Sequence, residues 1–134
     1  VKKIKAIGKG SSSSVYSCYV DGYICAMKEV EQEEAKSELE TLQHIPKHPN
    51  LVRYLSHRYS QGTLQLFLQQ YSGTLQEIID ERKQSNNAFS TLEILEILLD
   101  ISKGLRALHR KKIIHRDLKA ENIFIEHLNS KVNY

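Results

Sequence analysis

Along residues 1–30 apolar and polar positions alternate loosely, and small residues cut the run into three pieces. Val1 to Ile7 alternates with a lysine side made by Lys2, Lys3 and Lys5. The stretch from Gly8 to Ser14 is a small-residue turn into a second strand that ends at Val20. Asp21-Gly22 predicts a tight hairpin, because both central positions of the favoured two-residue turn need positive φ. A third strand follows over 23–30, on which Ile24, Ala26 and Lys28 share a face by period-two alternation. Over 31–45 the period changes. Ala35, Glu38, Leu42 and Ile45 recur at three and four residues, one stripe of a helix that Pro46 and Pro49 end. Strands are expected over 51–55 and 64–70, with Gln61-Gly62 turning between them. A short helix is expected from Thr74, opened by Thr74-x-x-Glu77, and 83–88 reads as a polar loop. Ser90-x-x-Glu93 opens the longest helix, 91–109, with Ile94, Leu98, Ile101, Leu105 and Leu108 as its stripe and Leu95, Ile97 and Leu99 widening it. So broad an apolar face predicts burial on more than one side. Residues 131–134 begin a further strand.

Composition changes this picture little. A chain of 134 residues with 26% charged and 40% hydrophobic residues is ordinary for a globular protein. The net charge of +3 gives no argument for nucleic acid. No apolar run reaches membrane-spanning length and the N-terminus lacks a signal-peptide core, so neither a membrane nor secretion is expected. Cys18 and Cys25 are too few for a disulfide scaffold. They are expected on neighbouring strands as free thiols of a cytoplasmic or nuclear protein.

Two places carry chemistry. Lys28 is a lysine among apolar neighbours, and Glu38 is a carboxylate inside an apolar stripe, where it is costly unless paired. Each answers the other, with Glu34 and Glu40 as alternative partners and a snorkelling lysine as the plain alternative. The second place is the loop His115-Arg116-Asp117-Leu118-Lys119-Ala120-Glu121-Asn122, set between Ile113-Ile114 and Ile123-Phe124-Ile125. Asp117 is suited to accept a proton from a hydroxyl, Lys119 to neutralise a phosphate, and the amide oxygen of Asn122 to hold a hard cation. A solvated polar loop is the bland alternative.

That octet resembles the catalytic loop of protein kinases, H-R-D-L-x-x-x-N, at every specified position. The resemblance runs along essentially the whole chain. Gly8, Gly10 and Val15 match the family's phosphate-covering loop, G-x-G-x-x-G-x-V, with Ser13 in place of its third glycine. Ala26-Met27-Lys28 resembles the third-strand lysine motif, and Glu38 the helix glutamate that pairs with it. Residues 66–72 resemble the fifth strand and hinge, in a register that puts Gln69 at the back of the nucleotide pocket and the backbone of Gln70 and Ser72 against adenine. Val15, Ala26 and Phe124, with Ile7, would enclose the base, while Leu42, Tyr54 and His115 would join the family's apolar stack. Lys119, two residues after Asp117, is similar to the serine/threonine class.

The resemblance implies an α+β kinase-like fold: a small antiparallel-sheet lobe with one long helix over 1–71, then the start of a helical large lobe over 72–134. It implies ATP and Mg²⁺ as cofactors, a protein substrate with serine or threonine, and catalytic roles for Asp117, Lys119, Lys28 and Glu38 with Asn122 on the metal. The family's Asp-Phe-Gly and activation segments do not occur here. The chain is therefore expected to be a severed kinase domain, weakly active or inactive by itself and self-associating through the outer side of its long helix. A non-catalytic nucleotide-binding or interaction module is the alternative.

Overall fold

A computed structural model describes residues 1–9, 13–128 and 131–134. These form two compact units: Val1–Ile45 with Val52–Gln70, and Pro46–Leu51 with Tyr71–Tyr134. The kinase-like α+β class expected from the sequence is the one observed.

In the first unit five strands, β1 (Lys2–Lys9), β2 (Ser13–Val20), β3 (Tyr23–Val30), β4 (Tyr54–Ser60) and β5 (Thr63–Leu68), form an antiparallel sheet in the order β1-β2-β3-β5-β4. Asp21 and Gly22 both have positive φ, 50° and 83°, as the hairpin between β2 and β3 requires. Gln61 and Gly62, at 51° and 76°, repeat this between β4 and β5. Helix α1 (Gln32–His44) follows β3.

Both faces of β3 and β5 are buried, so these central strands read as nearly continuous apolar runs. Residues directly opposite in a ladder share a face. Cys18 therefore joins Cys25, and Met27 joins Phe67, in a cluster on one side of the sheet, with Tyr16 and Val20 beside it. The other side carries Val30, Leu64 and Leu66, against which Ala35, Leu39 and Leu42 of α1 and Tyr54 pack. Each fully buried Leu or Val here stabilises the fold by about 1.5–3 kcal/mol relative to exposure. The strand expected over 51–55 forms later, at Tyr54–Ser60, because Leu51 belongs to the short segment Pro46–Leu51 of the second unit.

That unit holds β6 (Gly73–Thr74), α2 (Leu75–Gln84), α3 (Thr91–Arg110), a 3₁₀ turn (Ala120–Asn122), β7 (Phe124–Leu128) and β8 (Lys131–Asn133). Helix α2 runs on through Lys83 and Gln84, which the sequence reading put in a loop; Ser85 closes it by donating its N–H to the Glu81 carbonyl. Ser90 caps α3 reciprocally: its hydroxyl accepts from the Glu93 N–H at 3.1 Å, and its own N–H donates to the Glu93 carboxylate at 2.7 Å. Arg82 of α2 also binds that carboxylate. These hydrogen bonds, the Ser90 N–H first, hold the Glu93 carboxyl below its usual pKa. Lys112, at φ 60°, turns the chain out of α3, and Ile113 N–H donates back to the Leu108 carbonyl. Helix α3 packs through Ile97, Gly104 and Leu108. Asn50 ties Pro46–Leu51 into this unit, donating from Nδ2 to the Tyr134 carbonyl at 2.6 Å and to Asn133 Oδ1 at 3.2 Å.

Candidate active site

The residues singled out for chemistry fall into both units. In the first, register decides which of them share a face. Val15 stands opposite Lys28, Lys28 opposite Leu66, and Ala26 opposite both Ser17 and Leu68. Lys28 and Ala26 thus lie on the face of the sheet that carries α1. Lys28 Nζ forms an ion pair with Glu38 Oε1, both side chains 28% exposed. The competing carboxylates Glu34 and Glu40 are both exposed. Period two on β3 and period 3.6 on α1 put an ammonium and a carboxylate on facing apolar surfaces, where neither is left unpaired.

Gly8 pairs with Val15 in the β1–β2 ladder, Ser13 begins β2, and Gly10 lies outside the described residues. Ile7 is exposed on β1, Val15 is half-buried and Ala26 is buried. Gln69 donates its backbone N–H to the Arg53 carbonyl at 2.9 Å. Gln70 accepts a hydrogen bond from the buried Ser17 hydroxyl at 2.7 Å, a tie between β2 and the end of β5 that the sequence did not announce.

In the second unit β6 lays the chain after Gln70 against β7. Ser72 gives both its N–H and its hydroxyl to the Ile125 carbonyl, at 3.0 and 2.8 Å. Ser72 is one of the two residues whose backbone the kinase resemblance sets against adenine, and here its N–H is held by a main-chain partner. Phe124 keeps a partly open ring stacked on Tyr71, centroids 5.8 Å apart.

The loop after α3 is built around Asp117. Its backbone N–H donates to His115 Nδ1 at 3.2 Å, and Arg116 takes a left-handed φ of 70° to deliver it. Asn122, brought round by the 3₁₀ turn, donates from Nδ2 to the Asp117 carbonyl at 2.8 Å and to Asp117 Oδ2 at 3.0 Å. Two acceptors fix which end of the amide faces Asp117, so Asn122 Oδ1 is turned away from them. Lys119 Nζ stands 3.8 Å from Asp117 Oδ1 and 3.6 Å from Glu121 Oε2. Asp117 is 69% exposed, so these contacts position the carboxylate in solvent and do not bury it.

Among the described residues no three His, Cys, Asp or Glu side chains gather as a metal cage. A single hard amide oxygen beside a carboxylate fits an ion shared with phosphate and water, as Mg²⁺ is usually held.

A model of the protein kinase domain matches residues 1–133. The chain belongs to the protein kinase domain family. Over 134 residues it is 37% identical to "Kinase and exchange factor for Rac B" of Dictyostelium discoideum, covering 92% of this chain and 12% of that protein. It is 34% identical over 137 residues to human "Wee1-like protein kinase 2", covering 93% and 24%. Against human "Serine/threonine-protein kinase Nek5" it is 35% identical over 133 residues, covering 91% and 18%. The kinase chain thus spans at most about a quarter of these relatives' length. No helix among its described residues is long and apolar enough to cross a membrane.

Proposed function

We propose that this kinase chain supplies the nucleotide-holding and proton-accepting residues of a protein serine/threonine kinase, which moves the γ-phosphoryl group of ATP to a protein hydroxyl. The observation that carries this is Asn122 bonded to both the main chain and the carboxylate of Asp117. It fixes a solvent-facing base and leaves an amide oxygen for a cation. Asp117 takes the proton of the attacking hydroxyl as the bond to phosphorus forms and the bond to the ADP oxygen breaks. Lys28, held by Glu38, binds the α- and β-phosphates, and Lys119 meets the transferred group. When bound, Mg²⁺ neutralises phosphate charge; Asn122 Oδ1 is the described atom that would hold it.

By resemblance to the family, Val15 and Ala26 would meet the adenine, with Ile7, Gln69 and Gln70 as further nucleotide contacts and Gly8, Gly10 and Ser13 as the phosphate-covering motif; the shared sheet face of Val15 and Ala26 supports the first of these. The family resemblance adds Phe124 and the backbone of Ser72 as further adenine contacts. Boundaries near 71 and 72 divide the two lobes. Serine/threonine preference rests on Lys119 and on the name of the Nek5 relative.

The test is transfer of radiolabelled phosphate from ATP by a polypeptide that continues this chain through the remaining kinase segments. Asp117→Asn keeps the shape but cannot take the proton, and is expected to lower turnover by about 10²–10⁴. ATP binding without transfer by the unsubstituted protein would favour a non-catalytic nucleotide-binding module instead. Transfer that survives Asp117→Asn unchanged would place the base elsewhere.

A further inference from the structure

Ser17 is a polar residue that the sheet of the first unit does not itself require. Among the described residues the buried polar side chains are Ser17 and Gln65. Gln65 is used on the sheet face away from α1, where it bonds Arg58 and Glu29. Ser17 lies on the other face, 7% exposed, opposite Ala26, which stands opposite Leu68 in turn. Its hydroxyl donates to Gln70 Oε1 at 2.7 Å. Strands β2 and β5 are about 10 Å apart with β3 between them, so the long Gln70 side chain crosses β3 to meet the serine. Ala26 presents only a methyl group on that face, which leaves the crossing open.

The place of this bond matters for two reasons. The ladder between β3 and β5 ends at Ala26 and Leu68, whereas that between β2 and β3 runs on to Val20 and Tyr23. Past Leu68 the chain has left β3. On the β4 side the Gln69 N–H reaches the Arg53 carbonyl at 2.9 Å. On the β2 side Ser17 holds Gln70, the last residue of the first unit. The second reason is the run of side chains along β3. Going from Lys28 to Ala26 leads from the row of Val15 and Leu66 to the row of Ser17 and Leu68. A nucleotide with its phosphates on Lys28 and its base on Ala26 therefore has the Ser17–Gln70 bond at its base end. Stability gives little ground for the pair, since apolar groups of the same shape in place of both partners are close to neutral. What the hydrogen bond adds is a fixed direction.

We infer that Ser17 is a positioning residue for nucleotide binding: through Gln70 it fixes the segment Gln69–Gln70 in the arrangement that receives the base. The inference rests on the nucleotide reading proposed above. Ser17 acts on the base only through the Gln70 side chain. Without its hydroxyl, Gln70 takes up other arrangements, and the apparent affinity falls by the fraction of the protein left in the competent one. One neutral hydrogen bond of this kind shifts that fraction about three- to tenfold.

The test is isothermal titration of ATP and of adenosine into the polypeptide that continues this chain through the remaining kinase segments. Ser17→Ala is expected to weaken both ligands alike, about three- to tenfold, because the bond lies at the base end. Ser17→Thr keeps the hydroxyl and should bind as the unsubstituted protein does. Gln70→Met keeps the length of the side chain but removes the acceptor, and should weaken both ligands as Ser17→Ala does. The double substitution Ser17→Ala/Gln70→Met should bind no more weakly than either single, since each removes the same bond. A Ser17→Ala effect that persists in full on the Gln70→Met background would mean that Ser17 only packs, and would overturn the inference. Unchanged binding by Gln70→Met overturns it too, and does so even where Ser17→Ala fails to fold. A protein that binds neither ATP nor adenosine overturns the nucleotide reading together with this inference. One that binds both, with Ser17→Ala unaffected, overturns this inference alone.

Discussion

Replacing Gly104 by alanine separates helix propensity from packing, because the two predict opposite signs. Gly104 sits inside α3, where a glycine-to-alanine change ordinarily stabilises by about 1 kcal/mol. In this structure an added Cβ would lie 2.5 Å from the Asn50 carbonyl oxygen and 3.4 Å from its carbonyl carbon. The near contact is main chain, which cannot swing aside as a side-chain tip can. Relief needs Pro46–Leu51 to retreat from α3 by about 1 Å, and overpacking of this kind typically costs 1–3 kcal/mol. Retreat also stretches the bonds from Asn50 to Asn133 and Tyr134 and from Asn133 Nδ2 to the Pro49 carbonyl. Each contributes about 0.5–1.5 kcal/mol. The net expectation is destabilisation by about 1–3 kcal/mol. Urea unfolding followed by circular dichroism at 222 nm measures it, with exposed Lys103→Ala as the control for propensity alone. If strain acts through Asn50, the double substitution Asn50→Ala/Gly104→Ala should cost less than the sum of the singles. Equal or higher stability for Gly104→Ala would refute the reasoning.

Lys28→Met breaks a pair that is partly open to water, so it should change stability by less than about 1 kcal/mol; isothermal titration with ATP, alongside a urea melt, should show nucleotide binding lost first. Ser90→Ala removes half of a reciprocal cap and should cost about 1 kcal/mol in the same melt. Burial, and then the hydrogen bond with Cys25, raises Cys18 from 9.0 to about 11. The folded state therefore holds the thiol proton more tightly than the unfolded one. That contribution is intact below pH 9 and lost as pH rises through 11. Cys18→Ala should lack this share of the alkaline loss of stability, and neither buried thiol should react quickly with iodoacetamide at neutral pH.

Side-chain chemistry was the most legible part of the chain. Lys28 and Glu38 each break an apolar pattern, and a charge that breaks a pattern needs a partner, so the pair could be read before either element was placed. The capping box at Ser90 and the turn at Asp21-Gly22 are legible for a similar reason, since the residues satisfy their own backbone locally. What failed to show depended on distant backbone. Nothing in Leu51 to Leu55 tells a strand from a segment captured by another unit; the capture is made by Asn50 and by the missing side chain of Gly104. The Ser17–Gln70 bond joins residues 53 apart with no periodic signal. Ser72 shows the same limit, because the Ile125 carbonyl that takes its N–H is known only once β6 and β7 pair.

The two units are interleaved along the chain, and this bears on how the protein is made. Pro46–Leu51 belongs with Tyr71–Tyr134, although first-unit sequence lies on both sides of it. No single cut therefore yields both units whole, and an exchange of sequence at any one point between related proteins would leave one unit without a part. During synthesis the sheet of the first unit can close once β5 emerges. Asn50, however, must wait for partners 83 and 84 residues downstream. Until they leave the ribosome, the polar groups of Asn50 face water, and the second unit is the slower and more exposed one to form.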